Sequence, residues 1–203
     1  MISVAKKLFF EIVLVSFFSM VNTGPLWAAG PAERIRYTTN RILAVAADPA
    51  LNSSDKREER RFLIRNAVDE RFDWGEISKR CLGKHWKELS EEEQDEFIIL
   101  FSKLLERAYL EKVENFSGEK VSYEKEVIDG AYGSVESKIM TGRGTPVHVK
   151  YHLIRKKNDW LVYDVSIGGV SLVNTYRNQF SNILRNSSYK KLAEKMKDKV
   201  AEK

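Results

Sequence analysis

The chain has 203 residues, with 34 Lys and Arg against 29 Asp and Glu, for a formal net charge of +5. The two signs are interleaved, so the mild excess suits anionic headgroups or acidic partner surfaces and gives no reason to invoke nucleic acid. A single cysteine, Cys81, excludes an internal disulfide, and inside a helical pattern it reads as a small buried hydrophobe.

Lys6 and Lys7 precede an apolar run from Ile12 to Val21, broken only by Ser16 and Ser19, and Leu26 to Gly30 offers small residues. This is the layout of a secretory signal peptide over residues 1–29, cleaved near Ala28, Ala29 or Gly30. The run is shorter than the roughly 20 apolar residues of a bilayer-spanning helix. Glu11 shortens it further and leaves an uncleaved N-terminal anchor as the alternative. No second apolar span follows, so residues 30–203 are expected as one soluble, exported, monomeric domain with one core.

The first half of that domain has helical period. Residues 33–47 bring Ile35, Ile42, Leu43 and Ala46 to one side, and Pro49 ends the segment. Residues 54–72 carry the charge run Lys56–Arg61, read as a solvated face rather than a membrane patch, then Phe62, Ile64, Val68 and Phe72. After Asp73-Trp74-Gly75 a short helix is expected from Glu76 to Leu82, with Gly83 as its cap. Ser90 and Glu93 form a capping box opening a long helix, 90–115, with Phe97, Phe101, Leu104 and Ala108 on its apolar face.

The second half changes period. Val121, Tyr123 and Val127 alternate with polar residues, and Val135 and Ile139 follow the Asp129-Gly130 turn. After the turn 141–146, Val149, Tyr151 and Leu153 alternate with His148, Lys150 and His152, and Trp160 to Ile167 makes a fourth strand. A helix over 170–186 aligns Val170, Val173, Tyr176, Phe180, Ile183 and Leu184, and a charged helix over 187–201 closes the chain. The expected fold is α+β, a single domain with helices packed on one face of a curved four-stranded antiparallel sheet.

Little in the chain suggests chemistry. His148 and His152 lie about 13 Å apart along one strand, too far to share a metal. Gly169-Val170-Ser171 lacks the second glycine of a nucleophile elbow. Thr141-Gly-Arg-Gly-Thr145 is not followed by the Gly-Lys-Ser/Thr of a phosphate loop. One competing reading is a small enzyme with a cone-shaped fold, in which Asp164 works with His148 or His152 on an apolar substrate. Asp164 shares its phase with Trp160 and Val162. A bridging protein with a filled core is a third.

Four pieces of sequence carry a resemblance. They are Arg71-Phe72-Asp73-Trp74 with Ile77-Ser78; Leu82-Gly83 with Trp86; the helix from Ser90 with Phe97, Phe101, Leu104, Leu105 and Tyr109; and the block Trp160 to Phe180, with Tyr163-Asp164-Val165, Gly169-Val170-Ser171-Leu172 and Tyr176-Arg177. In this order, behind the leader, the chain resembles the MlaC-like, or toluene-tolerance, family of periplasmic phospholipid-carrying proteins. The resemblance implies a periplasmic shuttle that is not an enzyme and maintains outer-membrane lipid asymmetry. It would pass phospholipid between an outer-membrane lipoprotein–porin complex and an inner-membrane ABC transporter with an MCE partner. Phospholipid would be cargo rather than cofactor, its acyl chains held between sheet and helices. A hopanoid or other lipid carrier is the alternative.

Phe101, Leu104, Val149, Tyr151, Leu153, Val165, Val170, Val173, Tyr176 and Phe180 are expected to line that pocket. Periodicity alone does not distinguish a lined cavity from a filled core. Arg177 either pairs with Asp164 or meets a phosphate at the pocket mouth. Tyr176 would offer its ring to acyl chains and its hydroxyl to a polar partner.

Overall fold

A computed structural model describes residues 29–114, 120–140 and 145–202. The expected leader, save Ala29, lies outside them, as does most of the turn 141–146. Helix α1 (Pro31–Ala47) begins with proline at its first position, where the missing N–H is no loss. Two short 3₁₀ turns lead to α2 (Arg57–Asp69). Helix α3 (Trp74–Leu82) is capped by Asp73, whose side chain accepts from Glu76 N at 3.0 Å, and ends at Gly83 with φ of 58°. A 3₁₀ segment, Gly83–Glu88, joins it to α4 (Glu91–Glu114). The expected capping box opens α4: Glu93 N donates to Ser90 Oγ at 3.2 Å, and Ser90 N donates to Glu93 Oε2 at 3.0 Å.

Strands β1 (Lys120–Asp129), β2 (Tyr132–Met140), β3 (Pro146–Lys156) and β4 (Asp159–Ile167) form an antiparallel meander. A fifth strand, β5 (Val170–Ser171), follows, so the sheet has one strand more than the four read from sequence. Gly168 and Gly169, with φ of 57° and 84°, turn the chain back so that Val170 pairs with Ile167. The helix expected from 170 therefore starts two residues later, as α5 (Leu172–Arg185), and α6 (Tyr189–Ala201) ends the fold. The free edge of β4 is also covered by residues 71–73: Val162 N donates to Arg71 O at 2.8 Å and Asp73 N to Val162 O at 2.9 Å.

Helix α1 lies on one face of the sheet. Ile35 packs with Val135, Leu153, Trp160 and Val162, all buried. Gly133 permits this approach, because a Cβ there would stand 3.2 Å from both Pro31 Cγ and Trp160 Cζ3. Two polar ties fix the helix. Glu126 Oε1 accepts from Ala32 N at 2.8 Å. The buried Arg71 donates to Thr38 Oγ1 at 3.2 Å, Asp159 Oδ1 at 3.1 Å and Trp160 O at 2.5 Å.

The apolar interior is divided. One cluster is helical: Ile77, Cys81 and Leu82 of α3, Phe97, Phe101 and Leu105 of α4, Val173 and Phe180 of α5, Leu192 and Met196 of α6. The other is the sheet cluster under α1. Among the described residues, Phe72 alone packs against both.

Candidate functional site

The candidate site is drawn from the apolar side chains that pack against the two clusters without being completely buried. On the helical side these include Leu104, Tyr109, Leu172 and Tyr176. On the sheet side they are Tyr123, Tyr151 and Val165. The pleat explains the sheet side. Tyr151 sits between Val135 on β2 and Val165 on β4, on the face that carries Leu153 and α1.

Most of the sequence-predicted lining falls on one side or the other. Phe101 and Phe180 are buried, and with Tyr176 they form an edge-to-face set, Phe101 lying 4.9 Å from Tyr176 and 5.3 Å from Phe180 between centroids. Val173 is buried beside them and Leu104 is partly buried. Val149 and Leu153 are buried on the sheet. Val170 departs from the helical stripe: it is 64% exposed in β5, because the double-glycine turn lifts it out of α5. Tyr123, Tyr109 and Leu172 join the set although sequence reading did not select them. Tyr123 had shown the right strand phase.

The site's polar groups are neutral hydroxyls. Burial pushes the Tyr151 phenol up to about 12, with Ser137 and Thr39 as its nearby hydrogen-bonding partners. Burial also raises Tyr123, and it raises Tyr176, with Tyr109 adding to the effect. A surface of rings and un-ionised hydroxyls suits an apolar occupant.

Arg177 does not pair with Asp164. Its Nε donates to Arg80 O at 2.7 Å, placing a cation at the C-terminal end of α3, and its side chain is exposed. Both oxygens of Asp164 are occupied at the start of α5: Ser171 Oγ donates to Oδ2 at 2.6 Å and Val173 N to Oδ1 at 3.0 Å. A bulge at Tyr163 also corrects the phase argument. His152 pairs with Asp164 and Leu153 with Val162, so Asp164 lies on the face away from α1 while Val162 faces it. His152 is partly buried there, 6.1 Å from the Tyr163 ring, and His148 is exposed. Among the described residues no group of three His, Cys, Asp or Glu is placed to hold a metal.

A separate cleft of about 270 Å³ opens between the Gly83–Glu88 turn and the joint of α5 and α6. Leu82, Leu89 and Leu184 supply its apolar wall. Its acids are already engaged, Glu88 with His85 Nδ1 at 2.9 Å and Glu93 with Ser90 N at 3.0 Å. Two distant stretches of chain build it, so no local pattern announced it.

Comparison with known proteins bears on this architecture. The family model described as MlaC protein matches residues 36–198. The intermembrane phospholipid transport system binding protein MlaC of Haemophilus influenzae is 23% identical over 205 residues, covering 97% of this chain and 94% of its own length. The solved structure of a phospholipid-binding protein from Ralstonia solanacearum, in complex with a phospholipid, superposes with a TM-score of 0.76 at 25% identity. That match covers 85% of this chain and 98% of the other.

Proposed function

The chain belongs to the MlaC family, and from that premise we propose that it is a phospholipid carrier whose cargo lies between the helical and sheet clusters. The divided apolar interior carries this reading. Acyl chains would run between Leu104, Val173 and Tyr176 on one side and Tyr123, Tyr151 and Val165 on the other. Each methylene taken from water contributes about 0.8 kcal/mol, so two chains need no specific polar contact. The engagement of Asp164 with α5 favours a carrier over an enzyme.

The proposal includes the cellular setting. The chain works in the periplasm after loss of residues 1–29. It meets an outer-membrane lipoprotein–porin complex on one side and an inner-membrane ABC transporter with an MCE partner on the other. A passive carrier equilibrates its load, so the energised partner sets direction.

Native mass spectrometry of the protein purified from the periplasm, followed by solvent extraction, tests the reading. One diacyl phospholipid per chain is the expected result; a hopanoid would reassign the cargo. Val165→Trp, at a partly buried site on the sheet wall, should abolish loading in a folded protein, while Val170→Trp, at an exposed site, should load normally. A folded wild-type chain that holds no lipid and takes none from vesicles would overturn the carrier reading.

A further inference from the structure

The outer face of α5 has an unusual make-up for a solvated helix. Its exposed residues are Asn174, Arg177, Asn178, Gln179, Asn182 and Arg185. Asn174, Asn178 and Asn182 recur every fourth residue, and Asn186, which caps the helix, continues the line. Helix α5 contains no Asp, Glu or Lys. Its neighbour α6 has the ordinary pattern, with Lys191 paired to Glu194 and Lys199 to Glu202. Asparagine is a weak helix former, because its side chain competes for nearby backbone groups. Helix stability therefore does not account for the row.

The arrangement has the composition of a recognition surface. Protein interfaces are enriched in Arg and depleted of Lys, Glu and Asp. Exposed carboxamides present a donor and an acceptor each, matched to peptide groups and polar side chains. Arg177 has one nitrogen on Arg80 O, and among the described residues its terminal nitrogens have no partner. Arg185 reaches Asn182 Oδ1 and is otherwise exposed. No acid on α5 offsets these two cations, so the face complements carboxylates. A bilayer fits it poorly, since α5 exposes no large apolar side chain and surface attachment to lipid needs apolar insertion or several cations.

We propose that the outer face of α5 docks a protein partner with an acidic surface, its asparagine row pairing with the partner's peptide and polar groups and its two arginines with carboxylates. The proposal goes beyond the carrier reading and holds whatever occupies the interior.

The test uses the mature chain with a photo-crosslinking amino acid in place of Gln179, irradiated in cells of the source organism. The expected product is a protein adduct whose linked stretch is acidic, and Arg177→Glu/Arg185→Glu should cut its yield about tenfold or more. Asn178→Ala/Asn182→Ala supplies the second arm. Alanine is the better helix former, so Tm should rise by about 2–4 °C while the adduct falls. A raised Tm with an unchanged adduct would identify a plain solvated face and overturn the proposal. So would adducts with phospholipid alone, or adducts indifferent to both arginines. Lipid content by mass spectrometry stays at the wild-type level in the expected case, which keeps failure of docking distinct from failure of the carrier reading.

Discussion

Replacing Arg71 by Met tests the account of what holds the sheet wall in place. Arg71 is 4% exposed and donates to three acceptors on two elements: Thr38 of α1, and Asp159 and the carbonyl of Trp160 at the start of β4. Removing one partner of a buried pair commonly costs about 3–5 kcal/mol, because a bare charge stays behind. Here the charge is not left bare. Asp159 also forms an ion pair with Arg34, whose Nε lies 2.9 Å from Oδ1, and its side chain is 37% exposed. What remains is the loss of bonds from a charged donor, about 1.5–3 kcal/mol each, and a buried carbonyl without its donor. Because methionine keeps much of the apolar stem, a net loss of about 3 kcal/mol is expected. Urea unfolding should show a lowered midpoint at unchanged slope. Arg71→Lys should fall between, since a point ammonium does not reproduce a fork aimed at separate acceptors. A loss under about 1 kcal/mol, or a lysine variant as stable as the parent, would refute the reasoning.

Gly133→Ala should cost about 1–3 kcal/mol, read as a drop in Tm, because the new Cβ meets Pro31 and Trp160 at 3.2 Å and presses α1 off the sheet. An unchanged Tm would mean that α1 yields freely there. Burial first, then Asp164, pushes the Cys81 thiol up to about 12, with Arg177 opposing. A thiol reagent near pH 8 should therefore label folded protein far more slowly than a free cysteine, whose pKa is about 8.5. Labelling at the free-cysteine rate would contradict the burial. Burial holds the His152 imidazole below its ordinary value of 6.5, with Asp164 opposing and Lys150 adding to the depression. The unfolded chain then binds the proton more readily, so this contribution to stability is present above that value and lost as pH falls below it. His152→Gln should flatten the slope of stability against pH in that window, and an unaltered slope would remove His152 from the account.

Sequence and structure agree where a side chain's local role suffices. The Ser90–Glu93 box, the Phe97, Phe101 and Leu104 part of the α4 stripe and the clean alternation of Val149, Tyr151 and Leu153 are all local facts, and each is found in place, while Ala108 at the far end of the stripe is exposed. The departures occur where backbone irregularity changes phase. A register shift at Glu124 in β1 sends Val127, which shares the parity of Tyr123, to the opposite face, where it is 43% exposed. Glu126 takes the inward place instead and caps α1. The bulge at Tyr163 does the same to Asp164, which turns outward and fastens α5. A period-2 reading has no term for one inserted residue. The pairing of Arg177 with Asp164 fails for a related reason: its acceptor, Arg80 O, is a main-chain group on another helix, and no side-chain pattern points to it.

These irregularities also bear on why the interior is divided. A domain of this size ordinarily gathers its apolar side chains into one contiguous core with minor satellites. Here α1 is fixed to the sheet by polar ties at both of its flanks, the Glu126 carboxylate on Ala32 N and the Arg71 fork on Thr38 and Asp159. Both ties are directional, so they fix where α1 sits on the sheet. The helical layer is closed by its own aromatic set, Phe97, Phe101, Tyr176 and Phe180, and so does not need the sheet for its burial. Two layers that are each satisfied internally have little drive to merge, and that leaves Tyr151, Val165, Leu104 and Tyr176 partly uncovered. The same residue types in an alternating pattern would fill an ordinary core. The register shift in β1 is what turns Glu126 to the face that carries α1, where it makes the tie to Ala32 N.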